Sequence, residues 1–190
     1  MPELPIIDAR DQTAWRDWLE ANHNSQDGVW LKFAKKGSPT ATVSYAEALE
    51  EALCYGWIDG QARRHDEHFY LQRFTPRRAR SKWSQNNVEK AGRLIDEGRM
   101  HPAGLAAIEA AKADGRWEAA YPAQSQVQVS EDFQRALDAN PEAAAFFATL
   151  TGSTRYAFLY RLHNVADPGA REKRIAMYVE LLGEGRTLAD

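Results

Sequence analysis

The sequence has little of what marks a secreted or membrane protein. Its 190 residues include one cysteine, Cys54, which excludes a disulfide within the chain and fits a reducing compartment. No segment approaches the roughly 18 apolar residues that a membrane-spanning helix requires. The first residues lack the basic segment and apolar run of a signal peptide. We therefore expect a cytoplasmic protein without a membrane span.

The signatures of three large enzyme classes are also missing. The chain contains no GxSxG elbow, no phosphate-binding P-loop and no GxGxxG dinucleotide fingerprint. Only His65 and His68 among the five histidines are close in sequence, and no cysteine completes a tetrahedral metal site beside them. Cys54 falls near the end of a predicted helix, where neither the helix dipole nor a cation activates a thiol. We predict no metal and no cofactor, and we expect a binding protein more than an enzyme.

Charge is distributed unevenly along the chain. A formal net charge of −3, with 44% hydrophobic and 27% charged residues, is ordinary for a soluble globular protein. It argues against a surface that is basic throughout. The stretch from Arg63 to Lys82 differs, because it holds seven bases and two acids, Asp66 and Glu67. Such a run is often a solvated face, but this one is interleaved with aromatic side chains, which makes it a candidate binding surface.

Hydrophobic periodicity, capping residues and turn signals predict an α+β fold. The predicted elements are a helix after Asp11, a strand over 29–36, a helix with a capping box from Ser44 to Glu47, two strands within 57–75, helices after Ser84 and from Pro102, and helical segments at 130–139, 141–150, 153–163 and 168–182. We predict a small antiparallel sheet covered by helices over 1–121. A linker at 117–129 leads to a compact helical carboxyl-terminal module over 130–190 that packs on the first domain.

The loop length of the central hairpin decides which of its side chains share a face. With a loop of two or four residues, one face carries Trp57, Asp59, Gln61 and Arg63 beside Tyr70, Gln72 and Phe74. An odd loop length exchanges these partners, because side chains alternate along a strand. Asp59 on this hairpin most often would form an ion pair with Arg63 or Arg73. It could also orient a ligand or act as a general base.

The loop after the hairpin combines arginines with the start of a helix. Arg77, Arg78 and Arg80 follow Pro76 and precede the helix that Ser84 caps. Guanidinium groups bind carboxylates and phosphates, and a helix start adds backbone N–H donors. An anion site is therefore physically reasonable here. The alternative is that these arginines are solvated or pair with the acidic amino terminus.

Several motifs carry a resemblance to a known family. They are Gly-Val-Trp-Leu at 28–31 with Lys35-Lys36, Ala-Leu-Cys-Tyr-Gly-Trp-Ile-Asp-Gly-Gln at 52–61, Arg-Phe-Thr-Pro-Arg-Arg at 73–78 and Ser-Lys-Trp-Ser-Gln-Asn-Asn at 81–87. In order and spacing they resemble the YdeI/OmpD-associated (bacteriocin-protection) family, and the helical tail resembles its carboxyl-terminal module. The resemblance extends over nearly the whole chain. It implies protection against bacteriocins and cationic antimicrobial peptides, with no reaction or cofactor common to the family.

These observations lead to one principal prediction of function and several alternatives. We predict a stress or bacteriocin-protection protein that binds a small anionic or aromatic ligand through the region from Gly56 to Asn87. The predicted ligand-binding residues are Trp30, Lys32, Trp57, Asp59, Gln61, Arg63, Arg73, Arg77, Ser81, Trp83, Ser84 and Asn87. One alternative is an enzyme that uses Asp59 in an arginine-lined pocket. Others are nucleic-acid binding through the basic loop, which the acidic net charge argues against, and a protein partner for the tail. The oligomeric state stays open.

Overall fold

The computed structural model describes residues 3–124 and 126–189. The chain divides into two compact units, Met1–Ala120 and Tyr121–Asp190, which we call the amino-terminal and the carboxyl-terminal domain. Within the described residues, the first contains a four-stranded sheet and four helices, and the second contains four helices. The predicted α+β fold class is confirmed, whereas the packing of the second domain on the first stays a prediction.

Side-chain caps set the starts of the helices in the amino-terminal domain. Its elements are β1 (Ile6–Ile7), α1 (Gln12–Asn22), β2 (Val29–Ala34), α2 (Tyr45–Cys54), β3 (Trp57–Arg64), β4 (Phe69–Pro76), α3 (Gln85–Asp96) and α4 (Pro102–Ala113). Asp11 accepts a backbone hydrogen bond at the start of α1, and Ser44 forms the predicted capping box with Glu47. Ser84 caps α3. These side chains pair N–H groups that the first helical turn leaves without partners, which is why the starts could be predicted.

The sheet has the strand order β1-β2-β4-β3 and is mixed. Strands β2 and β3 both pair antiparallel with β4, as predicted. Strand β1 instead pairs parallel with β2, with Ile6 opposite Trp30, so the prediction of a wholly antiparallel sheet is corrected at this edge. A strand of two residues is too short to show the alternation by which strands are recognised in a sequence.

A β-bulge divides β3 into two registers. Before the bulge Asp59 lies opposite Phe74, and after it Arg63 lies opposite Leu71. The irregularity falls between Asp59 and Ala62, and the extra residue moves the following side chains to the other face of the sheet. Both pairings that the sequence left open therefore occur in one hairpin, the first near its base and the second near its turn.

The two faces of the sheet differ in what covers them. One face packs against α1, α2, α3 and α4 through a buried core cluster that includes Val29, Leu31, Phe33 and Phe74. Side chains alternate along each strand, and directly opposed residues share a face. The other face carries Ile6, Trp30, Lys32, Arg63, Phe69, Leu71 and Arg73, and we call the surface formed by these seven residues the outer sheet face. None of these seven residues belongs to the core cluster.

The start of α4 lies against the end of α2. Gly56, with a φ of +73°, ends α2 as predicted. The backbone N–H of His101 donates to the carbonyl oxygen of Cys54. A Cβ atom added to Gly104 would lie 2.1 Å from that same oxygen, so the close approach of the two helices requires glycine at position 104.

The carboxyl-terminal domain has a core of its own. Its helices are α5 (Glu131–Asp138), α6 (Pro141–Thr149), α7 (Gly152–His163) and α8 (Pro168–Gly183), close to the predicted bounds. Phe133 packs edge-on against Phe147 with ring centroids 5.3 Å apart, and Phe158 packs against Tyr178 at 5.0 Å. Edge-to-face rings of this kind fill a small core densely and fix the helix orientations within the domain.

We predict that Gly104→Ala destabilises the protein by about 2–3 kcal/mol, because the new methyl group forces α4 away from the end of α2. The matched control is Gly92→Ala in α3, where an added Cβ has nothing within 4 Å and alanine favours the helix by about 0.5–1 kcal/mol. Urea unfolding followed by circular dichroism measures both. Equal effects of the two substitutions would contradict the close contact.

Candidate functional site

The structure separates the twelve predicted ligand-binding residues into three groups. Trp30, Lys32, Arg63 and Arg73 lie on the outer sheet face. Trp57 and Asp59 lie on the helix-covered face, and Gln61 falls in the bulge. The third group lies at the start of α3, at Arg77, Ser81, Trp83, Ser84 and Asn87. Trp30 and Trp57 thus belong to opposite sides of the sheet, and the binding roles stay predictions.

The outer sheet face is built from cations that lie over aromatic rings. The Arg63 guanidinium carbon is 4.1 Å from the Trp30 ring centroid. The Lys32 ammonium is 4.5 Å from the Phe69 ring. Leu71 lies among these side chains and is 1% exposed, although it is outside the helical core. The aliphatic stems and rings of this face therefore shield its apolar centre while the charged ends stay near solvent.

Two carboxylates approach the cations of the outer sheet face. Asp8 forms an ion pair with Lys32. Glu3 lies 3.8 Å from Arg63, with 85% of its side chain exposed. The side chain of Arg73, opposite Trp30 in the register, has no hydrogen bond or ion pair to any residue in the described part of the chain, and its Nε atom is buried.

Trp57 and Asp59 have structural partners on the helix-covered face. Trp57 is 1% exposed, and its indole N–H donates to the carbonyl oxygen of His23 at 3.3 Å. The Tyr45 hydroxyl donates to the Asp59 carboxylate at 2.8 Å. Asp59 therefore has a tyrosine of α2 as its partner, where an arginine of the sheet was expected.

The group at the start of α3 is a packed stack. The Arg77 guanidinium carbon lies 3.5 Å from the Trp83 ring centroid, and Trp117 packs edge-on against Trp83 with centroids 4.8 Å apart. Trp83 is 2% exposed. The Ser84 hydroxyl already accepts a hydrogen bond from the backbone N–H of Asn87. Neither the Trp83 ring nor the Ser84 cap is thus open to a ligand in this conformation.

A buried polar cluster of the amino-terminal domain was not predicted. Glu51 in α2 is 2% exposed. It accepts hydrogen bonds of 2.6 Å each from Gln12 and Arg16 of α1 and from Arg99, which precedes α4. Burial alone would lower the pKa of Arg99, but the hydrogen bond and charge of Glu51 raise it. The sequence offered no signal for this cluster, since its members are 35 to 48 positions apart from Glu51.

Histidines from distant parts of the chain meet beside Tyr55. The His101 ring stacks on Tyr55 with centroids 4.8 Å apart, and His23 packs edge-on against His101 at 4.7 Å. The Tyr55 hydroxyl donates to Glu20 at 2.7 Å, and burial together with this bond raises the pKa of Tyr55. Both histidines also bond to backbone at helix ends, His23 to the Leu19 carbonyl and His101 to the Ala103 N–H. Their role is to join the ends of three helices.

Within 3–124 and 126–189, no group of three or more His, Cys, Asp or Glu side chains could hold a metal ion. No helix in that part of the chain combines the length and the hydropathy needed to cross a membrane.

The carboxyl-terminal domain contains a groove between α8 and the α5–α6 corner, with a volume of about 770 Å³. Its apolar lining includes Ala136, Ala143, Ile175, Ala176 and Val179, and its carboxylates are Glu142, Glu172 and Glu180. We call it the acid-rimmed groove. Glu172, Ile175, Ala176, Val179 and Glu180 follow helical spacing, which places them along one side of α8. The three glutamates are exposed and form no ion pair with a residue in the described part of the chain.

Comparison with family models assigns the two domains separately. Residues 126–185 match the model described as bacteriocin-protection, YdeI or OmpD-associated. Residues 7–107 match the model of a domain of unknown function, DUF8412. The chain belongs to the DUF8412 family, whose model covers more than half of it, and its carboxyl-terminal domain matches the YdeI/OmpD-associated model. No curated protein and no solved structure matches the chain.

The family assignment confirms the predicted resemblance but limits where it applies. The YdeI/OmpD-associated match covers the helical tail, whereas all of the quoted motifs lie within the DUF8412 match. The acid-rimmed groove lies entirely inside the YdeI/OmpD-associated domain. A property of that family should therefore be sought first in the tail.

Replacing Glu51 tests the importance of its cluster. We predict that Glu51→Gln lowers the free energy of unfolding by about 3 kcal/mol, because Arg16 and Arg99 lose the carboxylate that offsets their burial. Glu50→Gln is the control, because Glu50 is more exposed and also bonds to Arg99. It should cost less than about 1 kcal/mol. Denaturant titration compares the two, and a similar loss for both would exclude a special role of Glu51.

Thiol labelling tests the predicted structural role of Cys54. The side chain is buried, and burial, with a contribution from Glu51, raises its pKa to about 11. We predict that a thiol reagent near pH 8 leaves the native protein unlabelled and labels it after unfolding in urea, since only the thiolate reacts. Labelling of the native protein at the rate of an unfolded cysteine would show an accessible thiol.

Proposed function

We propose that this protein protects against bacteriocins by binding cationic amphipathic peptides in the acid-rimmed groove. The observation that carries the proposal is an apolar groove rimmed by three carboxylates, in the domain that matches the bacteriocin-protection model. The association of the matched family with bacteriocin protection supports the biological setting, and the chemistry of the groove supports the choice of ligand.

The floor of the groove is lined by small residues and can therefore accept a helix at close range. Ala136, Ala143 and Ala176 contribute only methyl groups, so a second helix can approach closely. Ile175, which is 8% exposed, and Val179 extend the apolar strip along α8. An amphipathic helix that lays its apolar side into such a groove is a common mode of peptide recognition.

The rim of the groove selects for positive charge. Glu142 lies on α6, whereas Glu172 and Glu180 lie on α8 at positions i and i+8, which a straight helix separates by about 12 Å. Lysine or arginine side chains on both edges of a bound helix can reach these carboxylates. Complementary charge of this kind speeds association and excludes anionic peptides.

The earlier prediction of a single pocket for a small aromatic ligand is not part of this proposal. Trp57 and Trp83 are 1% and 2% exposed, and Trp30 lies on the opposite side of the sheet from Trp57. A cytoplasmic location, expected from the single cysteine, and the absence of catalysis remain predictions.

A peptide-binding measurement tests the groove. The probe is a fluorescein-labelled, lysine- and leucine-rich helical peptide, and its anisotropy is followed during titration with the full-length protein. We predict that Glu142→Gln, Glu172→Gln and Glu180→Gln together weaken binding by about tenfold at low salt. The independent variant Ala176→Trp should weaken binding as well, because it fills the apolar floor.

Two controls separate recognition from general charge. A triple variant at Glu118, Glu131 and Glu184, all exposed and outside the groove, changes the net charge equally and should bind as the wild type does. A peptide of the same composition with its apolar side chains scattered should bind weakly. Cells that express the groove variant should lose protection against the peptide. Equal losses from both triple variants would exclude the groove as the binding site.

A further inference from the structure

The outer sheet face carries a second set of chemical groups, independent of the acid-rimmed groove. Trp30, Arg63 and Arg73 meet on three neighbouring strands, because Trp30 is opposite Arg73 in the pairing of β2 with β4. The bulge in β3 brings Arg63 to the same face, where it lies over the Trp30 ring at 4.1 Å. Aromatic and cationic groups therefore alternate across one continuous surface.

The chemistry of this face matches an extended anion that also carries planar rings. Arginine planes and aromatic rings stack on nucleobases, while their charges attract the phosphate backbone. The outer sheet face is lined by residues of four strands, and an extended strand of several nucleotides could contact it across this width. Ile6, which is 46% exposed at the edge of the same face, adds an apolar contact for a base or sugar.

The aromatic residues first associated with nucleic-acid binding lie elsewhere. Phe74 and Trp83 are 0% and 2% exposed, and Tyr70 packs against the helical core. Phe74 and Trp83 cannot stack on bases without unfolding, and the Tyr70 ring already stacks on Phe33. The exposed arginines of the loop, Arg78 and Arg80, form no cation–π contact with a ring in the described part of the chain.

We propose that the outer sheet face of the amino-terminal domain binds single-stranded nucleic acid. Arg73 and Arg63 contact the phosphate backbone, and bases stack on Trp30 and on the outer plane of the Arg63 guanidinium. In the free protein Glu3 pairs with Arg63 and Asp8 pairs with Lys32. The phosphates of a bound strand displace these two carboxylates. The acidic net charge of −3 limits binding to this face, because the rest of the surface repels a polyanion.

Fluorescence anisotropy with a labelled oligothymidine of about 16 nucleotides tests the proposal on the full chain. We expect binding by the wild type that weakens steeply as salt is added. Trp30→Ala should weaken binding by about tenfold, and Trp30→Phe should restore most of it, because a ring remains for stacking. Arg63→Gln should weaken it by about fivefold. Glu3→Gln with Asp8→Asn should strengthen binding, since the competing carboxylates are removed.

Matched controls locate the surface. Arg64 is the next residue of β3 and lies opposite Tyr70, so it points to the other face. Arg64→Gln, which removes the same charge as Arg63→Gln, should leave binding within about twofold. Arg78→Gln with Arg80→Gln should do the same. Circular dichroism verifies that each variant is folded.

The outcomes are decisive in either direction. The proposal is supported if Trp30→Ala and Arg63→Gln weaken oligothymidine binding while Trp30→Phe restores it and Arg64→Gln leaves it unchanged. The proposal is overturned if the wild type fails to bind oligothymidine at low salt, or if polyglutamate binds as tightly as oligothymidine. It is also overturned if the double variant Arg78→Gln with Arg80→Gln loses as much affinity as Arg63→Gln. Equally tight binding of polyglutamate would identify an acidic peptide as the partner. None of these results depends on the acid-rimmed groove.

Discussion

The buried carboxylate of Glu51 is the constraint on which the amino-terminal domain depends. Removing an ion from water costs several kcal/mol, and here two guanidinium groups and an amide offset that cost. The donors belong to α1 and to the segment before α4, whereas Glu51 belongs to α2. The hydrogen bonds therefore form well only when all three segments are in place. The apolar core tolerates small shifts of a helix, whereas this cluster requires one arrangement. It thereby fixes the helical layer that supports the sheet.

Local features of the fold could be predicted because they depend on neighbouring residues. The capping box at Ser44 and the cap at Ser84 supply acceptors for backbone N–H groups of the first helical turn. The proline at the start of α4 has no N–H group that would need an acceptor there. The strand β1 could not be predicted, because two residues carry no periodicity. Its parallel pairing with β2 depends on contacts that the chain makes only after folding.

The candidate sites were harder to predict, because they combine residues that are far apart in the sequence. Four of the predicted ligand-binding residues do share the outer sheet face, and the alternation of β2 already placed Trp30 and Lys32 together. No local sequence pattern indicates that His23 contacts His101. The same is true of the acid-rimmed groove. The groove could be recognised only once α8 was known to pack beside the α5–α6 corner.

The bulge in β3 has a consequence for how related chains can be compared. The strand already accommodates one extra residue between Asp59 and Ala62 without losing its pairing with β4, so a chain one residue shorter at this point could keep the same hairpin. In such a chain the residues beyond the gap keep their partners on β4, so the residue aligned with Arg63 still lies opposite Leu71, on the surface where Arg63 covers Trp30. A chain of unchanged length that lost the bulge would instead turn Arg63 to the helix-covered face. Related chains are therefore best aligned with any gap placed at 60–61, because residues beyond such a gap occupy equivalent places.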